Sequence, residues 1–269
     1  MPICAICGYI NMTESPKDWA LRLFRKSVLK QAKFKRFRRM LGDVAAARCL
    51  DIGADNGVLS LLFRELGGSW ASADLDPESV EAIRALVATD VHLIDGTTTP
   101  FSDGEFDVVA IVDFLEHVHT DRQFTKECAR IVKPGGRLIV NVPRARKWSL
   151  LGPLKRRLGL TDEEHGHVRE GYTLDALRAL LQPHFDITDA HTYNRFFSEC
   201  VDVAVRFASK KKKGSGGAKG TVLTADDLAA SRKALRIYSL LYPGFWLLSR
   251  LDLVVPTRGM HLIASATRR

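Results

Sequence analysis

Three carboxylates stand at the ends of short apolar runs: Asp51 in Leu50-Asp51-Ile52-Gly53-Ala54-Asp55-Asn56-Gly57, Asp74 in Ala73-Asp74-Leu75-Asp76-Pro77, and Asp95 in Ile94-Asp95-Gly96. The first run opens into a turn whose glycines let the backbone come close to a ligand, and the helix start that follows offers free N–H groups to it. Asp74 lies about twenty residues past that turn, where a carboxylate accepts hydrogen bonds from both hydroxyls of a ribose. Asp95 is a further acidic strand end at the same edge of the sheet. The glycine turn alone is a weak signal, because doubly wound proteins that bind dinucleotides, flavins or nothing share it.

A second group of side chains suits proton transfer. Asp113 closes the fourth apolar run and His117 follows it. Glu164, His165, His167 and Tyr172 lie on an extended stretch, Glu-His-Gly-His-Val-Arg-Glu-Gly-Tyr-Thr, where His165 and His167 fall on one face. That stretch reads as a lid over an acceptor pocket, with Arg169 and Tyr172 facing the substrate and Thr173 capping the helix Leu174 to Leu181. Asp113 reads equally as a helix cap or a catalytic group, and His117 as a structural or cofactor-adjacent residue. Two histidines and Glu164 lack further ligands at metal-site spacing, and Cys4-x-x-Cys7 is half a zinc site with no second pair, so no metal is expected.

These residues need a frame. Short apolar runs ending in Gly or Asp alternate with helical stretches from Arg48 onward, the rhythm of parallel strands joined by crossover helices. The expected strands are Arg48 to Ile52, Trp70 to Asp74, Val91 to Ile94, Phe106 to Val112 and Gly136 to Val142. Helices are expected over Gly57 to Leu66, Pro77 to Val87 and Asp121 to Val132, the last stopped by Lys133-Pro134-Gly135-Gly136. Phe185 to Thr192 and Gly259 to Ala266 supply two closing strands.

Several ordered motifs together are more specific than one glycine turn. Leu50-Asp51-Ile52-Gly53 through Gly57, Ala73-Asp74-Leu75-Asp76-Pro77, Ile94-Asp95-Gly96, Pro100-Phe101 with Phe106-Asp107-Val108-Val109, Leu115-Glu116-His117-Val118 and Ile131-Val132-Lys133-Pro134-Gly135-Gly136 follow one another at family spacing. The chain from about Arg48 to Pro143 resembles a class I S-adenosylmethionine-dependent methyltransferase of the methyltransferase type 11 group. The resemblance implies a Rossmann-like α/β fold: a seven-stranded, mostly parallel sheet with helices on both faces. It implies S-adenosyl-L-methionine as cofactor, with Asp51, Gly53, Asp55 and Gly57 around the methionine part, Asp74 and Leu75 at the ribose, Asp95 and Gly96 at the adenine, and Asp113 beside the cofactor. The family usually has glycine where Asp55 stands; that carboxylate either weakens binding or favours the cationic sulfonium over the neutral product, and Asn56 is the neighbour that tolerates left-handed angles. Methyl transfer from a sulfonium relies on alignment of the acceptor, helped by a base if the acceptor is a hydroxyl; Asp113, His117, His165, His167 and Tyr172 are the catalytic candidates.

Of 269 residues, 46% are hydrophobic and 26% charged, which excludes disordered, collagen-like and disulfide-scaffold chains. Five scattered cysteines and the lack of an opening signal peptide make a reducing cytoplasm the expected compartment, with a peripheral position on the inner membrane face as its variant. The net charge of +9 sits between Lys17 and Arg39, where ten Lys or Arg face the single Asp18. Leu21, Phe24, Val28 and Ala32 give that stretch the stripe of one amphipathic helix with a basic outer face.

The expected organisation is a basic helical extension over residues 1–45, a cofactor-binding core over 46–192, a helical insertion over 193–258 and a final strand over 259–269. The insertion contains a helix from Phe196 to Ala208, a basic loop at Lys210 to Gly220, and a helical pair from Ala225 to Leu253 broken at Pro243-Gly244. Its apolar end and the basic segments either pack on the sheet edge or settle on an anionic membrane surface. The acceptor is expected to be a small, hydrophobic or lipid-linked molecule methylated on oxygen or carbon. Nucleic acid is not expected, for want of an Asn/Asp-Pro-Pro-aromatic motif and of aromatics among the basic residues. A non-catalytic cofactor-binding module and a membrane-surface module are the alternatives, and the oligomeric state is left open.

Overall fold

Each strand expected from its apolar run forms, and the runs assemble in an order that puts their carboxyl ends at one edge. The computed structural model describes residues 15–146, 149–160, 167–210, 239–255 and 257–269. β1 (Arg48–Ile52), β2 (Ser69–Asp74), β3 (Val91–Leu93), β4 (Phe106–Val112), β5 (Val132–Pro143), β6 (Phe185–Tyr193) and β7 (His261–Arg268) make one sheet in the order β3-β2-β1-β4-β5-β7-β6. All pairings are parallel except those of β7, which runs antiparallel to both β5 and β6. The order reverses beside β1 and β4, where the loops after adjacent strands diverge and a crevice opens.

Strands buried on both faces must present apolar side chains alternately to two cores. Leu50, Ile52, Val109 and Ile111 face one, with α5 (Asp121–Ile131) and α7 (Leu174–Leu181) packed over them through Phe124, Cys128, Leu177 and Leu181. Cys49, Val108 and Ala110 face the other, covered by α3 (Val58–Arg64) and α4 (Pro77–Val87).

The basic N-terminal stretch forms two helices, not one. α1 (Pro16–Arg25) starts at Ser15, whose hydroxyl accepts from Asp18 N–H, and α2 (Val28–Leu41) restarts at Ser27, whose hydroxyl accepts from Lys30 N–H. A second serine cap inside the apolar stripe is the feature that splits it. Both helices dock as the stripe requires. Phe24 packs edge-on against Phe34 at 5.8 Å, Phe37 against Phe63 at 5.3 Å, and Phe63 stacks on Trp70 at 5.2 Å.

The C-terminal insertion departs from its expected form. α8 (Phe196–Lys210) matches, but residues 239–251 are one continuous helix, α9, that runs through Pro243-Gly244. The carbonyl that the Pro243 ring crowds is that of residue 239, in the first described turn of the helix. α6 (Gly152–Arg157) follows β5 in the chain. Residues 211–238, including the Lys211-Lys212-Lys213 run, and the Cys4-x-x-Cys7 pair lie outside the described residues. No helix among the described residues is long and apolar enough to cross a membrane.

Candidate active site

A cleft of about 440 Å³ opens at the carboxyl edge of β1, β2 and β4. The β1–α3 turn lines it with Gly53, Ala54, Asp55 and Asn56, the β2 end with Asp74, Leu75 and Asp76, and the β4 end with Asp113, Phe114, Glu116 and His117; Lys30, Lys33, Pro143, His167 and His261 close the other side. A larger depression of about 590 Å³ lies between the β3–β4 loop, α5 and the end of β7, and holds none of the residues singled out in the sequence.

The turn is built by backbone angles that few residues adopt. Gly53 has φ 83°, and a Cβ there would stand 2.6 Å from the Val112 carbonyl oxygen; Gly57 has φ 74° and no room against Ile83. Asp55, not Asn56, takes the third left-handed position, with φ 55°. Its N–H donates to Asp74 Oδ2 at 3.3 Å. Asp74 also accepts from Leu75 N–H at 2.8 Å. Burial outweighs these bonds and pushes the Asp74 carboxyl up to about 6.

Asp51 does not share this cleft. Strand alternation turns it to the same face as Cys49, where it is fully buried and accepts from Ser60 of α3 at 2.6 Å and Ser72 of β2 at 2.8 Å, with the Arg64 guanidinium 3.5 Å away. Burial raises its pKa against those partners. It clamps α3 to the first two strands. Asp95 is exposed, outside the lining, and its carboxylate accepts from the N–H and hydroxyl groups of Thr97 and Thr98, which hold it below the usual carboxylate range. Gly96, with φ 78°, packs under Leu75 and Val118, also outside the lining.

Asp113 lines the cleft at the end of β4. Its φ is 46°, and its carboxylate accepts from the Lys33 ammonium and from Asn141 Nδ2 at 2.6 Å. Burial pushes its pKa up, but the Lys33 charge prevails and holds it below the ordinary value. Asn141 Oδ1 accepts from the Tyr193 hydroxyl at 2.6 Å, and the Tyr193 ring stacks on His261 at 5.2 Å. Burial pushes His261 down to about 4, so its imidazole is neutral at ordinary pH.

Tyr172 and Arg169 do not face the cleft. The Tyr172 hydroxyl donates to Asp121 Oδ2 at 2.7 Å and accepts from Arg169, while Arg169 also donates to the Val118 carbonyl at 2.6 Å. Burial pushes the Tyr172 phenol up to about 12. The pair pins the stretch before α7 to the start of α5, because a buried polar tip needs local partners. Glu164 and His165 lie outside the described residues. His167 does reach the cleft, its ring edge-on to His117 at 4.7 Å, and one ligand atom from each of Glu116, His117 and His167 lies within 4.8 Å of the others.

Among the titratable lining residues, Lys30, Lys33 and His261 are the ones that sequence reasoning missed. The two lysines are one helical turn apart in a stretch read only as a solvated basic face. His261 begins a strand whose antiparallel return is what brings it to the carboxyl edge.

Residues 50–140 match the family model described as a methyltransferase domain. The chain is 34% identical over 105 residues to the ubiquinone biosynthesis O-methyltransferase of Xanthomonas oryzae pv. oryzae (strain PXO99A), a match covering 37% of this chain and 44% of that relative. It is 35% identical over 107 residues to the demethylmenaquinone methyltransferase of Clavibacter sepedonicus, covering 38% and 43%. The matches thus span less than half the length of these relatives. The fold is similar to that of an S-adenosylmethionine-dependent methyltransferase from Mesorhizobium loti, with TM-score 0.53 and 17% identity over 88% of this chain and 98% of that one. Sheet order, glycine turn and matched residues make the core of this chain similar to class I S-adenosylmethionine-dependent methyltransferase domains.

Proposed function

We propose that the chain transfers a methyl group from S-adenosylmethionine to a hydroxyl of a small hydrophobic acceptor of the quinone-precursor kind. The observation that carries this reading is the make-up of one cleft, lined together by a ribose-type carboxylate, Asp74, two lysines, Lys30 and Lys33, and a neutral imidazole, His261. The residues fit the cofactor in charge and in shape. Asp74 would hold the ribose hydroxyls, the Gly53–Gly57 turn would lie along the methionine part, and Lys30 would face its carboxylate. Lys30 also answers the unusual Asp55: after burial, which lowers the lysine's pKa, the strongest influence on it is the opposing Asp55 charge. The turn therefore carries its extra negative charge opposite a cation.

The cofactor supplies an electrophilic methyl group on an excellent leaving group, and this chain's own residues supply alignment and a proton acceptor. Asn194 meets the His261 ring at Nδ1, 3.4 Å away; with its amide turned so that Oδ1 accepts from Nδ1–H, Nε2 would be the nitrogen without a proton and would take that of the acceptor hydroxyl. Lys33 keeps Asp113 ionised, and the resulting negative charge favours the imidazolium formed there. His117 and His167 border the same space. The names of the two relatives favour a quinone-type acceptor, and oxygen is chosen over carbon because a neutral base stands in the cleft. Calorimetry with S-adenosylmethionine and S-adenosylhomocysteine, followed by mass spectrometry of alkylated dihydroxybenzoates incubated with the loaded protein, tests the reading. Micromolar cofactor binding and a gain of one methyl mass are expected; absence of cofactor binding overturns it.

A further inference from the structure

We propose that α9, the turn after it and α6 form a docking surface for an anionic lipid bilayer, placed so that the acceptor end of the cleft opens toward the membrane. The proposal rests on the reading of a hydrophobic acceptor only for the benefit of that placement; the surface itself is argued from side chains away from the cleft.

Large apolar side chains are exposed here to an extent that packing on the sheet edge would not leave. Leu240 is 81% exposed, Leu253 75%, Val254 78% and Leu150, just before α6, 79%; Leu247 and Trp246 of α9 are exposed as well. Scattered single leucines on a surface are ordinary, but a concentration on two neighbouring elements is not. Specific contacts make them neighbours. The Asp252 carboxylate accepts from Arg195 N–H and Phe197 N–H, both at 2.8 Å, and so caps the start of α8. Glu199, in the first turn of α8, pairs with Lys155 of α6 at 2.9 Å and with Arg146 at 2.6 Å. The end of α9, α6 and the start of α8 therefore meet at one place. That place adjoins the cleft: Arg144 Nε donates to the Gly259 carbonyl at 2.6 Å, joining the chain beside Pro143 to the chain beside His261, and Pro143 and His261 both line the cleft.

Charge selects the occupant. Over the described parts of 144–160 and 239–258 there are seven Lys or Arg and one acid, Asp252, and that acid is taken up by the α8 N–H groups. Arg156, Arg157, Arg250 and Arg258 are exposed, and Arg250 lies 4.8 Å over the Trp246 ring. Tryptophan and leucine flanked by arginine is the composition that settles at the level of lipid head groups, with apolar tips in the acyl boundary and guanidinium groups on phosphate. A protein partner would more often meet arginine with its own carboxylates and leave fewer leucines at its rim.

Co-sedimentation of the full chain, without cofactor or acceptor, with phosphatidylcholine vesicles and with vesicles containing about a third phosphatidylglycerol tests this. The chain is expected in the pellet with anionic vesicles and in the supernatant with neutral ones. The triple variant Leu240→Asp, Leu247→Asp, Val254→Asp should bind at least about tenfold more weakly, while Arg156→Glu with Arg157→Glu should lose anionic binding without touching α9. Circular dichroism and cofactor calorimetry on each variant keep a folding defect apart from a docking defect. Wild-type chain in the supernatant with both vesicles overturns the proposal, as does binding that neither variant weakens. A concentration-dependent dimer in analytical ultracentrifugation that the triple variant abolishes, with no vesicle binding, would reassign the surface to a second copy of this chain. Because no cofactor is present in the vesicle experiment, its failure leaves the methyl-transfer reading intact, and failure of cofactor binding leaves the docking surface intact.

Discussion

Asp74 bears opposite consequences for stability and for binding. Its carboxyl is raised to about 6 by burial, so the folded, ligand-free chain is better off with the proton on: this contribution is complete below the unfolded value of 3.8 and is lost as pH rises through about 6. Asp74→Asn should therefore stabilise the free chain at pH 8, by on the order of 2 kcal/mol, with the difference fading toward pH 4 in thermal melts. The same variant should lose most of its cofactor affinity. In the wild type, affinity measured by calorimetry should be level above pH 7 and fall about tenfold per unit below about pH 6, a limb that Asp74→Asn removes. His261, held near 4 by burial, places no acid limb in that window. His261→Asn should lower kcat by about a hundredfold or more while the cofactor dissociation constant stays unchanged; an equal loss in both would make it a binding residue only.

At the scale of elements, two carboxylates hold helices to neighbours far away in sequence. Asp51 fastens α3 through Ser60 and β2 through Ser72 in a site with no access to water. Asp51→Ala leaves Arg64 and two hydroxyls with no buried acceptor and should destabilise the chain by about 3 kcal/mol, read from urea melts. Its side chain lies outside the cleft lining, bonded to Ser60 and Ser72. The motif placed Asp51 at the right strand end, but which face its side chain takes follows from registry with β2 and β4. Asp252 caps α8 from more than fifty residues away in the chain, and Asp252→Ala should cost about 1 kcal/mol and loosen α9 from the start of α8. That contact has no local sequence signal, because a cap is legible only when it immediately precedes its helix. A local cap was legible: Thr173 accepts from Ala176 N–H as expected.

For the molecule as a whole, the N-terminal helices belong to the cofactor cleft as well as to the hydrophobic core. Phe37 and Leu41 are fully buried against α3 and β2, and Lys30 and Lys33 on the same helix reach the cleft. Lys30→Gln with Lys33→Gln should weaken cofactor binding about tenfold or more, with little change in melting temperature, whereas Phe63→Ala, at the hub of the aromatic chain, should lower stability by about 4 kcal/mol. The strands, their order of appearance and the glycine turn were legible because each is fixed by local periodicity and by backbone angles that only a few residues tolerate. Asp74 and Asp113 were legible for the same reason, since a strand end delivers its last side chain to the sheet edge. The roles of Tyr172 and Arg169 were not, because both share a donor–acceptor network with Asp121, almost fifty residues earlier. The sequence by itself determined the alternation of strands and helices, the turn at Gly53 to Gly57 and the family this core resembles, all of which rest on neighbours within about one helical turn or one strand. Only the tertiary structure decided which charges meet. Lys30 opposite Asp55, Lys33 on Asp113 and His261 behind them come from four separate segments, and through-space electrostatics depends on distance in the folded chain and not along it.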